Sequence, residues 1–186
     1  MVAVRFAHCI GVSYWNGFVA HCILEKYRLE NANSVSTPLD PNIKLEPQQT
    51  HNYTSTINGN YVSLTGSLMY ATIGTRPDIA YAVNKLCLFN NNPDRIHWTA
   101  AKRVLRYLKG TKHRGITYRK GDNCVHGYAD AGFTSNEDMS STNGNIFILN
   151  GGAITWSSKR QHTIALSTAK AEYTSMADTA HEIIWL

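Results

Sequence analysis

"NGNIFILNGGAITWSSKRQ", residues 143–161, decides the fold of the C-terminal part of this chain. Two short runs rich in β-branched and aromatic residues, "NIFILNGG" and "AITWSSKRQ", flank a pair of glycines. This is the pattern of two antiparallel strands joined by a tight turn at Gly151-Gly152. Working back, the polar turn "TSNEDMSSTNG" (134–144) separates them from "CVHGYADAGF" (124–133), which reads as a third strand. A three-stranded antiparallel meander is therefore expected. Working forward, "STAKAEYTSMADTAHEIIWL" (167–186) has a capping Ser167 or Thr168 and an apolar stripe of Tyr173, Met176, Ala177, Ala180 and Ile184, so it is expected to form a helix that lays this stripe on the sheet.

The first strand carries one acid, Asp130, among Gly, Ala and aromatic neighbours, and the helix carries Glu172 beside its stripe. A helix packed back on a meander would bring the two carboxylates together at the sheet edge. Like charges held that close raise each other's pKa unless a cation joins them. Magnesium suits the pair, because it binds through a few carboxylates and substrate phosphates and keeps several waters.

The chain has 186 residues with a formal net charge of +5, unevenly spread. Residues 1–120 hold 15 Lys/Arg against 6 Asp/Glu, a balance of +9, and residues 121–186 hold 3 against 7, a balance of −4. A basic part for a polyanion joined to an acidic part for cations is the implied organisation, with a boundary near Lys120 and domains over 1–120 and 121–186. Within the first, "GFVAHCILEKYRLE" reads as a helix with Phe18, Cys22, Ile23 and Tyr27 on one face. Residues 33–60 hold three of the five prolines and read as an extended linker. Pro77 starts a helix, with Thr75 able to cap it and Ile79, Val83 and Leu86 inward, and "RIHWTAAKRVLRYLKG" forms a second helix ending at Gly110.

That second helix and its continuation carry Lys102, Arg103, Arg106, Lys109, Lys112 and Arg114, and residues 97–120 contain no acid. With Ile96, Val104, Leu105 and Leu108 buried on the other side, the cations would stand free to neutralise phosphates, giving salt-dependent, sequence-independent nucleic-acid binding. His97, His113 and His162 fall in basic polar stretches where phosphate or solvent contact is expected. Other chemistries find little support. The cysteines and histidines lack zinc-ligand spacing, "TGSLM" lacks the second glycine of a nucleophile elbow, and no run is long enough to span a membrane. Four scattered cysteines suit a reducing, cytoplasmic or nuclear setting.

Taken together, "GYADAGF", residues 143–161 and "LSTAKAEY" resemble the ribonuclease H domain of copia-type LTR retrotransposon Pol polyproteins. "VSTPLDPN", "GSLMYATIGTRPDIAYAV" and "HWTAAKRVLRYLKGT" resemble the segment that follows the reverse transcriptase palm in that family. The likeness runs from about Phe18 to Leu186. It implies an α+β or α/β chain: helices like a reverse transcriptase thumb or connection (1–120), then a truncated ribonuclease H-like fold of meander plus helix (121–186). It further implies a two-metal magnesium nuclease acting on the RNA strand of RNA:DNA hybrids, with Asp130 matching the first-strand aspartate and Glu172 the helix glutamate as metal ligands. The partners implied are the hybrid and the rest of the Pol polyprotein, within a virus-like particle for an intact element.

The resemblance also implies what is missing. The family continues to a third aspartate and a fourth ligand beyond the final helix, and the Tyr-x-Asp-Asp polymerase motif is absent, so this fragment is expected to be inactive alone. Relatives often carry a second acid and a Trp where Gly132 and Phe133 stand, and the first 17 residues do not fit the family. The alternative is a nucleic-acid-binding or inert remnant of a degenerate element.

Overall fold

The computed structural model describes residues 11–47, 55–121, 123–133 and 140–186. They form two compact units, Met1–Ile116 and Thr117–Leu186. The polar turn lies mostly outside the described residues, as do residues 1–10 of the N-terminal stretch that does not fit the family. Among those described, five α-helices and one antiparallel sheet make an α+β chain, and no helix is long and apolar enough to cross a membrane.

Unit 1 is helical: α1 (Gly11–Lys26), α2 (Ser55–Thr75), a 3-10 turn (Pro77–Ile79), α3 (Ala80–Cys87) and α4 (Arg95–Gly110). Helix α2 overturns part of the sequence reading, since it starts inside the stretch expected to be an extended linker. Gly59, Gly66 and Gly74 and several β-branched residues lower its intrinsic propensity. Tertiary packing outweighs them: Tyr61, Leu64, Leu68, Ala71 and Thr75 recur every three or four residues and are all buried. The Tyr61 hydroxyl donates to Leu86 O at 2.8 Å, tying α2 to the end of α3. Thr75 closes α2 instead of capping the next helix, and Arg76 occupies the cap position before Pro77. Ile79, Val83 and Leu86 do point inward. Helix α1 begins earlier than expected and is turned differently: Ala20, Ile23 and Leu24 are buried, whereas Phe18 and Cys22 are exposed.

Helix α4 matches its expected span and buries Val104, Leu105 and Leu108, but Ile96 is 51% exposed. Its start explains why. Asp94 caps the helix, and His97 closes the reciprocal capping box by accepting the Asp94 amide on Nδ1 at 2.8 Å. This turns His97 inward to stack on Phe89, ring centroids 4.0 Å apart, and leaves Ile96 outside. His97 is thus a buried structural residue and not the solvent- or phosphate-facing group expected. Burial pushes its imidazole below the usual value, against the pull of the nearby Asp94 carboxylate and of the Glu46 backbone. The unfolded chain then binds a proton that the folded unit resists, so stability is lost as pH falls through about 6.5. A falling denaturation midpoint between about pH 7.5 and about pH 5.5 is expected, and the slope should flatten in His97→Gln. An equally steep slope in that variant would refute the assignment.

Unit 2 is the meander β1 (Val125–Gly132), β2 (Thr142–Leu149) and β3 (Gly152–Arg160), followed by α5 (Thr168–Ile183). Strand β1 pairs β2 from Val125↔Leu149 to Gly132↔Thr142, and β2 pairs β3 from Thr142↔Arg160 to Leu149↔Gly152, with an irregularity at Phe147/Ile148. The second turn lies one residue earlier than expected. Asn150 and Gly151 take its two positive-φ positions, 53° and 77°, as an Asn-Gly hairpin turn requires. Gly152 is needed for another reason: a Cβ there would stand 2.5 Å from the Tyr118 ring, whose hydroxyl donates to Ala153 O at 2.7 Å.

Helix α5 is capped by Ser167, which accepts from Lys170 N. Its inner face is the reverse of the expectation. Ala171, Ser175 and Thr179 are the buried positions, while Tyr173, Met176 and Ile184 are 76%, 60% and 77% exposed. Small residues let α5 approach the sheet closely, and polar contacts fill the seam. Gln161 Nε2 donates to Ala171 O at 2.9 Å and to Asn143 Oδ1, and Asn143 Nδ2 donates to Asp178.

Candidate catalytic edge and cationic helix

Asp130 and Glu172 lie on elements that touch, α5 against β1. The Ser175 hydroxyl donates to the Asp130 carbonyl at 2.7 Å, and Glu172 comes one helical turn before Ser175. Both carboxylates are exposed. Strand alternation refines the picture. Asn143 and Gln161, which contact α5, mark one face of the sheet, and Ala131, the register partner of Asn143, belongs to it. Asp130, opposite Gly144, starts from the other face.

Glu172 is exposed on α5, three residues before Ser175, the residue that meets β1. A cation shared by the two acids would therefore have to lie round the edge of β1 and not within one face. Both side chains offer only hard oxygen donors, which suits magnesium. No group of three or more His, Cys, Asp or Glu able to hold a metal ion occurs among the described residues. The two acids by themselves do not make such a group.

Sequence reasoning missed the residues that build this edge. Nothing in the sequence marked Ser175, Asn143 or Gln161 as buried, yet Ser175 is fully buried and Asn143 and Gln161 nearly so. Ser at i+3 from Glu172, pointing where the apolar stripe was expected, was the available signal.

The cationic helix differs from its expectation in unit 1. Its cations do not all stand free. Arg106 Nε donates to Asn33 O at 2.6 Å, Lys109 Nζ to Ala32 O at 2.8 Å, and Arg103 Nη2 to Thr37 Oγ1 at 2.9 Å. Arg103 also pairs with Asp40 at 3.6 Å. Residues 32–40 therefore form a strap across α4. Lys102 Nζ lies 5.9 Å from the Trp98 ring centroid, Arg114 Nη1 donates to the Tyr107 hydroxyl at 3.3 Å, and Lys112 is exposed.

A second ion cluster escaped the sequence reading altogether. Buried Arg76 forks onto Asp78 at 2.9 and 2.8 Å and donates to Thr111 Oγ1 at 2.6 Å, while Tyr107 donates to Asp78 at 2.8 Å. Burial pushes the Asp78 carboxyl up, but the Arg76 fork and the Tyr107 hydroxyl outweigh it and hold the group below its ordinary value.

Comparison with known proteins finds relatives of this chain. A Nicotiana tabacum protein, the retrovirus-related Pol polyprotein from transposon TNT 1-94, is 42% identical over 170 residues, 88% of this chain and 13% of the polyprotein. The retrovirus-related Pol polyprotein from transposon RE1 of Arabidopsis thaliana is 40% identical over 166 residues, again 88% of this chain and 11% of the relative. Secreted RxLR effector protein 161 of Plasmopara viticola is 43% identical over 131 residues, 69% of this chain and 92% of that protein. The chain thus spans a small part of the polyproteins it matches. No family model matches it, and no solved structure does.

Proposed function

The chain belongs to the family of retrovirus-related Pol polyproteins of copia-type transposons, and from that premise we propose that it carries the end of a reverse transcriptase and the opening part of a ribonuclease H domain. The activity proposed for the polyprotein is hydrolysis of the RNA strand of RNA:DNA hybrids. One observation supports this most: α5 returns along β1 so that the Ser175 hydroxyl donates to the Asp130 carbonyl, which brings together the two elements that carry Asp130 and Glu172.

Asp130 and Glu172 would hold magnesium, which supplies an activated water and stabilises the leaving oxygen when bound. Ser175 fixes the backbone under Asp130, and the Asn143–Asp178 contact fixes the helix that presents Glu172. The phosphate backbone of the hybrid is assigned to the cations at 102–114, whose contacts select no sequence.

Because no group of three possible ligands occurs among the described residues, the segment alone is expected to leave a hybrid intact. In a transposon polyprotein containing it, assayed on a hybrid with labelled RNA in Mg²⁺, Asp130→Asn and Glu172→Gln should each slow cleavage by at least about 10²-fold, the scale of losing one essential electrostatic group. Hybrid binding should survive both changes. Undiminished cleavage in either variant would end the proposal.

A further inference from the structure

The strap over α4 makes the cationic face self-occupied, and we infer that it is a built-in competitor of the polyanion: hybrid backbone and residues 32–40 take the same donors in turn. This rests on the reading of α4 as a phosphate-binding helix and adds its regulation.

Three donors on α4 are each matched to an uncharged strap oxygen, Arg106 to Asn33 O, Lys109 to Ala32 O and Arg103 to Thr37 Oγ1, and the strap adds one anion, the Asp40 carboxylate 3.6 Å from Arg103. Cations so placed at successive turns of a helix would bond phosphate oxygens in the same directions. Phosphate is the stronger acceptor, because it is itself charged and adds ion pairing to donors that the strap meets mainly with neutral oxygens. The strap also serves the helix imperfectly. Arg103 Nε is buried with no hydrogen-bond partner, a donor that the closed strap leaves unmet and that an incoming anion, with the strap lifted, could satisfy.

Two anchors resist the exchange. Val35 and Leu39, on either side of Thr37, pack half-buried against the helical core, so the strap is a bound segment that must be displaced and not a loose loop. Polyanion affinity is then reduced by the fraction of molecules with the strap open. Pro38 and Pro41 keep the segment extended, so it can lift without having to unfold a helix or strand.

The test uses the full chain and an RNA:DNA hybrid oligonucleotide at low salt. Limited proteolysis within residues 32–40 should be slow in the free chain and faster once hybrid is bound. A charge-neutral loosening, Thr37→Val with Leu39→Ala, should tighten hybrid binding by about fivefold, because it raises the open fraction. Hybrid binding that leaves strap proteolysis and the variant's affinity unchanged would overturn the competitor role while sparing the phosphate-binding helix. Binding that survives Lys102→Glu with Arg106→Glu undiminished, or no binding at all, would overturn the helix's role and the strap's together.

Discussion

Arg76→Met is expected to destabilise the helical unit by about 3 kcal/mol, the lower end of the range for breaking a buried ion pair from one side. The lower end applies because Asp78 keeps 32% of its side chain exposed, whereas Arg76 keeps 4%. After the change, Asp78 loses both guanidinium bonds, Thr111 loses its donors to the carbonyl and hydroxyl, and only Tyr107 still serves Asp78. These groups join the start of α3 to the end of α4, so the loss should appear as a lower denaturation midpoint of the helical signal with little change of slope. Removing both charges with Arg76→Met and Asp78→Leu should recover much of the loss, since a buried pair replaced by apolar groups is often neutral. A single variant as stable as the parent would show that the network carries no energy. The Asp78 contribution has its own pH window: its carboxyl is held below the ordinary value, so the stabilisation is present above about pH 4 and is lost on further acidification.

Phe147→Ala is expected to unfold the C-terminal unit. Among the described residues of that unit, Phe147 is the one large apolar side chain fully buried; the other buried apolar residues are Ala165 and Ala171. Its ring lies directly on Gly127 of β1, where a Cβ would come within 2.7 Å of the ring edge, so the glycine and the ring are one packing unit across the register pair Gly127↔Phe147. Truncating a buried Phe costs about 3–5 kcal/mol. A unit of 70 residues, Thr117–Leu186, has only about 4–10 kcal/mol of stability to lose. Collapse of the strand signal in circular dichroism, with the helical unit still folded, is the expected outcome. A cooperative sheet transition at the parent midpoint would mean that the polar seam of Asn143, Gln161, Ser175 and Thr179 holds α5 without the ring.

Much of this architecture could be read from residues, and the exceptions share a cause. The meander, the Ser167 cap and the limits of α4 follow from local rules: period-two alternation, a hydroxyl before a helix, Asp94 before Arg95. Helix α2 did not, because its glycines and β-branched residues speak against a helix locally while Tyr61, Leu64 and Leu68 earn it by packing. The orientation of α5 failed for the opposite reason. Its apolar stripe is real, but the meander presents Asn143 and Gln161 as buried polar positions, and these take Asp178 and the Ala171 carbonyl as partners while Ser175 meets the Asp130 carbonyl. Tyr173, Met176 and Trp185 are left on the surface.

At the site, Asp130 and Glu172 were legible as an isolated strand acid and a helix acid in the right order. Ser175, which joins their elements, was not, since nothing local marks a serine as buried. The strap was likewise invisible, because α4 gives no sign that carbonyls of residues 32 and 33 would meet its cations.

The most direct measurement is paramagnetic broadening by Mn²⁺, a stand-in for magnesium, across the amide spectrum of the full chain. If Asp130 and Glu172 share a cation round the edge of β1, signals from residues 129–132 and 171–173 should broaden together at the same Mn²⁺ concentration. Either Asp130→Asn or Glu172→Gln should abolish both sets. Broadening at one acid that persists when the other is neutralised would show that the two carboxylates do not form a site.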